Sequence, residues 1–147
     1  MECSRRDLGF AIAALLAPRS LLSAEESVLP AKAYRLEDLP AKKEGGNTSR
    51  AILSGKTDGG LELQISEHDI APGERPHPPH RHPTDQALLV IDGTFEVEIA
   101  GEKTTLGPGS MAYLASNVYH GIINAGTTQA RYFSVTLGAD LPSAKEG

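Results

Sequence analysis

From Leu61 onward the chain is built of short runs in which every second residue is apolar, separated by breaks marked with glycine and proline. In "LELQISEHDI", Leu61, Leu63 and Ile65 share one face and Glu62, Gln64 and Ser66 the other. In "TFEVEIAG", Phe95, Val97 and Ile99 oppose Thr94, Glu96 and Glu98. A period of two belongs to a β-strand, whose successive side chains leave opposite faces. Phe95, Val97 and Ile99 are therefore expected in the core. Further strands are predicted at 103–106, 110–114, 120–124 and 130–137, set apart by "GPGS", "ASNV" and "NAGTTQ". Asp92-Gly93, between two alternating runs, is the dipeptide of a tight hairpin. Upstream, "YRLEDLP" reads as an edge strand or a turn and "KKEGGN" as a loop. The expectation is an all-β domain of seven or eight short strands, a sandwich or a barrel, with no internal repeat and no second domain.

Composition fits that picture. The chain has 147 residues, 39% hydrophobic and 22% charged, enough apolar content for one ordinary core. Tryptophan is absent, while 15 glycines and 10 prolines supply the turns. A net charge of −5 argues against nucleic acid or anionic lipid as a partner.

The N-terminus differs from the rest. "SRRDLGFAIAALLAPRSLLSAEES" opens on Arg5-Arg6, continues with an apolar run at 8–17 and ends in small residues up to Ala24. That order is the order of an export signal, too short to span a bilayer comfortably, and Ser4-Arg5-Arg6 before Leu8 resembles the twin-arginine type that carries folded proteins. The other reading of this stretch is an amphipathic N-terminal helix. The expected organisation is a signal helix at 1–24, a polar segment with an edge strand at 25–46, the β domain at 47–140 and a flexible tail at 141–147. Cleavage after Ala24 leaves 11 basic and 17 acidic residues, a net charge of −6, and removes Cys3, the sole cysteine, so that no disulfide can form. The mature protein is expected in the periplasm or the medium, free of the membrane.

Three of the five histidines fall within six positions of "HPPHRHPTDQALLVIDG". In an extended segment His80 and His82 project the same way and can present two imidazoles to one ion. Gln86 shares their parity, with Pro83 interrupting between them. A third imidazole can come from His68, His77 or His120, and His120 opens an apolar run after a turn.

Gly73, His80-Arg81-His82, Gln86 and Gly93 resemble the first motif of the cupin family, and "GSMAYLASNVYHGIIN", matching at Gly109, His120 and Asn124, resembles the second. The resemblance covers about residues 34–137. It implies a double-stranded β-helix, or jelly roll, with one divalent transition metal ion held in its cavity by His80, His82, Gln86 and His120. It also implies a homodimer paired through an outer sheet. Gln86 stands where the family has glutamate, so no ligand compensates the ion's charge. Fe, Ni, Co, Cu or Zn are then favoured and Mn is disfavoured. Ala115 and Asn117 replace a proline and a glycine in a turn, where asparagine tolerates a left-handed backbone. Asp85 can replace Gln86 only by a one-residue register slip that buries the wrong face. His77, in "PHPPH", is expected at a cavity rim or on the surface, His68 at a strand end without a catalytic part, and Tyr113 and Tyr119 in the core.

The functional expectation is an exported mononuclear metal cupin acting on a small organic molecule as a dioxygenase or isomerase, with a non-catalytic metal- or ligand-binding cupin as the alternative. No general base is identifiable from the sequence. The lack of a helix-turn-helix segment and the export signal both speak against a transcription factor.

Overall fold

The computed structural model describes residues 28–138, which form nine strands and a single 3-10 turn at Leu36–Asp38. The strands are β1 (Lys42–Glu44), β2 (Asn47–Lys56), β3 (Glu62–Ile70), β4 (Asp85–Asp92), β5 (Phe95–Ile99), β6 (Glu102–Leu106), β7 (Met111–Leu114), β8 (His120–Asn124) and β9 (Ala130–Leu137). They make two antiparallel sheets, one ordered β1-β2-β3-β9-β4-β7 and a smaller one ordered β6-β5-β8. The predicted signal at 1–24 and the tail at 141–147 lie outside the described residues.

Alternation and turn chemistry explain most of this. β8 and β9 occupy the predicted spans, and β6 and β7 differ from theirs by one residue at one end. Ala100 and Gly101, both at positive φ (50° and 88°), give the mirror-image turn whose twist suits the β5–β6 hairpin. Asn117 takes the left-handed conformation expected of it, at φ 62°.

Three expectations are corrected. Asp92-Gly93 turns the chain but makes no hairpin, because β4 pairs with β7 and β9 whereas β5 pairs with β6 and β8. The turn carries the chain from one sheet to the other. Gly93 is required there by its φ of 78° and by Ala130, whose Cβ would lie 2.4 Å from any Cβ at 93. "KKEGGN" holds a short strand, since Gly45 at φ 60° folds Lys42–Glu44 back on β2. Tyr113 and Tyr119 are 60% and 42% exposed rather than core. Tyr113 lies on the edge strand β7, where alternate residues face outward and the phenol donates to Asp85 Oδ1 at 3.1 Å.

The core includes Ile70, Leu88, Val90, Phe95, Val97 and Tyr132, with Phe95 edge-on to Tyr132 and Ile99 half-buried against the cluster. In β3 the usual sense of alternation is reversed. Gln64, Ser66 and His68 line an interior cavity, which turns Ile65 and Glu67 to the outer face. There the Glu67 carboxylate, fully buried, meets Arg50 Nη1 at 3.0 Å and Arg131 Nε at 3.1 Å, tying β2, β3 and β9 together.

Asn124 closes the bottom of the fold. Its buried amide nitrogen donates to the Ile70 and Thr128 carbonyls at 2.8 and 2.7 Å, and its oxygen accepts from Gly126 N–H at 2.9 Å. Asn124→Ala strands two carbonyls and one N–H, and at about 1 kcal/mol or more for each buried group it is expected to cost roughly 3 kcal/mol. Urea denaturation of the two proteins measures the difference; a loss under about 1 kcal/mol would show the bonds to be dispensable.

Candidate metal centre

His80 and His82 come from the proline-rich stretch between β3 and β4. Pro76, Pro78, Pro79 and Pro83 stiffen that stretch, which bends at 76–77, 79 and 83–84. It runs antiparallel beside β8 as an irregular margin of the small sheet. His80 N–H donates to the His120 carbonyl at 3.0 Å and receives the reverse bond at 2.9 Å. Asn117 N–H reaches the His82 carbonyl at 2.7 Å, and Asn124 N–H the Glu74 carbonyl at 3.1 Å. The close approach depends on Gly121, where a Cβ would lie 2.9 Å from Pro79 Cγ. Direct pairing of 80 with 120, plus a step of two residues to 82, brings three imidazoles onto one side.

The rings converge. Their centroids are 5.4 Å apart for His80 and His82, 4.9 Å for His80 and His120, and 4.8 Å for His82 and His120. One nitrogen from each lies within 4.8 Å of the others. That is wider than the spacing around a shared ion with bonds of about 2.0–2.1 Å, so the rings must draw in when a cation binds.

Backbone carbonyls decide which nitrogens are offered. Nδ1 of His80 lies 3.0 Å from the Pro78 carbonyl, Nδ1 of His82 2.9 Å from the Thr84 carbonyl and Oγ1, and Nδ1 of His120 2.9 Å from the Val118 carbonyl. A carbonyl only accepts, so each Nδ1 carries a proton, and in the neutral ring Nε2 is then the nitrogen left with a lone pair. The Nε2 of His120 is buried with no hydrogen-bond partner, a deficit that a metal ion would meet. Burial holds the His120 imidazole below its usual pKa, with His82 and His80 adding to the effect and the Val118 carbonyl opposing it. The neutral, ligating form is therefore favoured. By tautomer and by the orphaned nitrogen of His120, the three residues fit a metal ion.

Gln86 reaches the same cavity from β4, its amide nitrogen donating to Ser134 Oγ at 2.7 Å and Thr136 Oγ1 at 3.3 Å, which leaves its oxygen as an acceptor. Asp85 points elsewhere, accepting from Tyr113 and from Ser116 N–H at 2.8 Å, so the strand has not slipped. His77 is exposed at the rim, edge-on to His80 with centroids 4.3 Å apart. His68, expected at a strand end without a catalytic part, lies near the end of β3 and lines the cavity. It is stacked on Tyr132 at 4.8 Å and bonded to Ser66 Oγ at 2.9 Å. The signal for it was its parity with Gln64 and Ser66.

The cavity measures about 540 Å³, room for one small ring with substituents. Leu88, Leu114 and Ile122 make its walls apolar near the triad, and among the described residues no carboxylate lines it.

Comparison with known proteins agrees. Residues 66–136 match the cupin domain model Cupin_2. The tetracenomycin polyketide synthase protein TcmJ of Streptomyces glaucescens is 31% identical over 93 residues, 63% of this chain and 61% of TcmJ, less than two thirds of that relative's length. KdgF from a Halomonas species superposes with a TM-score of 0.66 at 21% identity, over 76% of this chain and 96% of that one. The polyketide cyclase RemF of Streptomyces resistomycificus does so with a TM-score of 0.62 at 20% identity, over 77% and 83%. Residues 66–136, just under half of the chain, thus match a cupin domain, and the two antiparallel sheets with the paired histidine segment have the cupin fold.

Proposed function

We propose that this is an exported mononuclear metal cupin that acts on a small, oxygen-bearing organic molecule. The observation that carries the reading is the set of three Nε2 lone pairs turned toward one another by carbonyl-held Nδ1 protons. A divalent ion held there supplies a Lewis acid that acidifies a bound hydroxyl or enol. The chain's own part is to fix three neutral ligands, exclude water with Leu88, Leu114 and Ile122, and leave the ion's charge uncompensated. An enolate or phenolate meets that charge, which favours oxygenation or isomerisation of diones and phenols. TcmJ and RemF carry names from polyketide chemistry, so enolisable carbonyl compounds are the first to try. Export rests on Arg5-Arg6 and the apolar run that follows.

The purified protein, analysed for metals and then screened for oxygen uptake and for product with acetylacetone and 4-methylcatechol, tests the reading. Iron, nickel or copper with turnover supports the enzyme. Zinc with binding and no turnover leaves the non-catalytic alternative.

We assign Gln86 as the fourth ligand through its amide oxygen. Gln86→Glu places a carboxylate against the Ser134 and Thr136 hydroxyls, which can both donate to it, and adds the hard ligand that Mn²⁺ prefers. Mn²⁺ affinity is expected to rise roughly tenfold or more. Competition with a fluorescent chelator reads this out, and a change below twofold would place Gln86 outside the coordination shell.

A further inference from the structure

The inner face of the large sheet is not uniformly apolar, as a sandwich core would be. Reading across its rows, Gln64 pairs with Thr136 and Thr136 with Gln86; Ser66 pairs with Ser134 and Ser134 with Leu88; His68 pairs with Tyr132 and Tyr132 with Val90. Polar side chains occupy β3 and its neighbour β9, and apolar ones take over toward β4. The β3 side chains of this wall are half-buried and face the cavity, where a ligand can bond to those not already engaged. Gln86 occupies Ser134 and Thr136. Gln64 and Ser49, by contrast, bond to nothing through their side chains among the described residues, and His68 uses one ring nitrogen, toward Ser66.

The charges lining this cavity narrow the ligand. Among the described residues Arg50 is the one lysine or arginine along it, and its Nη1 is tied to Glu67 on the outer face at 3.0 Å. With neither a free cation nor a carboxylate, the wall suits a neutral donor or acceptor. Ser49, His68 and His77 also border a second pocket of about 330 Å³, so His68 lines both spaces.

We infer that Ser66 and His68, supported by Gln64 and Ser49, form a second subsite that takes a neutral hydroxyl or carbonyl group of the ligand whose other end meets the histidine triad. This rests on the metal reading above. It adds a specificity that the metal does not provide: ligands with a neutral polar substituent are selected over those with an apolar or an anionic one.

Three catechols with the same metal-binding end test it: 4-methylcatechol, 3,4-dihydroxybenzyl alcohol and 3,4-dihydroxybenzoate, titrated by calorimetry into the zinc-loaded full-length protein, where the redox-inert ion prevents turnover. The benzyl alcohol is expected to bind about tenfold tighter than 4-methylcatechol, the span of one well-made neutral hydrogen bond, and the benzoate no tighter than 4-methylcatechol. His68→Phe keeps the ring stacked on Tyr132 and Ser66→Ala leaves the stack untouched. Each is expected to erase most of the preference while retaining zinc. Should His68→Phe fail to fold, Ser66→Ala decides alone. Zinc bound without any preference, without catechol binding, or with a preference surviving in the folded variants, overturns the subsite and leaves the metal reading standing. Wild-type protein that takes up no zinc overturns both.

Discussion

Replacing His120 with alanine is expected to lower metal affinity by roughly 100-fold or more. The apparent free energy of a four-ligand site, about 10–16 kcal/mol for structural zinc, corresponds to some 3 kcal/mol per ligand, and each 1.4 kcal/mol is tenfold. The fold should survive, because the side chain's one hydrogen bond is its Nδ1 contact with the Val118 carbonyl, while the backbone bonds to His80 remain. The substitution also relieves the buried, partnerless Nε2, so the metal-free variant should be no less stable than expected for a small cavity. Chelator competition with the wild type and the variant measures the loss. Retained affinity within tenfold would mean that the convergence of the three rings is incidental.

The second large effect concerns acid. The His68 imidazole is pushed down to about 4, by burial first and by His77 second. In the unfolded chain it titrates near its ordinary value of 6.5, so between those pH values the unfolded state binds the extra proton. Stability is therefore fully present above about pH 6.5, falls as pH is lowered and levels off below about pH 4. From pH 7 to pH 5 the metal-free protein should lose about 2 kcal/mol through this group alone. The lowered pKa of His120 acts in the same direction. Urea denaturation in the presence of a chelator, for the wild type and His68→Phe at both pH values, isolates the contribution. A pH dependence unchanged in the variant would show that His68 is not buried as a neutral ring.

These effects bear on how far the sequence foretells the molecule. His80 and His82 were legible because extended backbone repeats every two residues, and His120 because it opens an apolar run after a turn. The pairing of His80 with His120 explains why the two motifs meet. The strand spans followed the alternation, yet its sense in β3 did not. There Ile65 faces outward and Gln64, Ser66 and His68 inward, because this sheet encloses a ligand-sized space rather than a dry core. Parity states which residues share a face and leaves open which face is inside. Tyr113 and Tyr119, expected in the core, lie on the surface: the first is on an edge strand and the second immediately precedes β8. Asp92-Gly93 illustrates a second limit. The dipeptide specifies a sharp turn, but whether the flanking strands pair depends on partners that arrive much later in the chain, β7 and β9 for one and β8 for the other.

X-ray absorption at the edge of a bound transition metal, on protein carrying one equivalent, is the most direct trial of the metal centre. The account predicts three imidazole rings scattering around the ion, with nitrogens at about 2.0–2.1 Å. A metal surrounded by fewer than two imidazoles, or a protein that holds no stoichiometric ion at neutral pH, would contradict it.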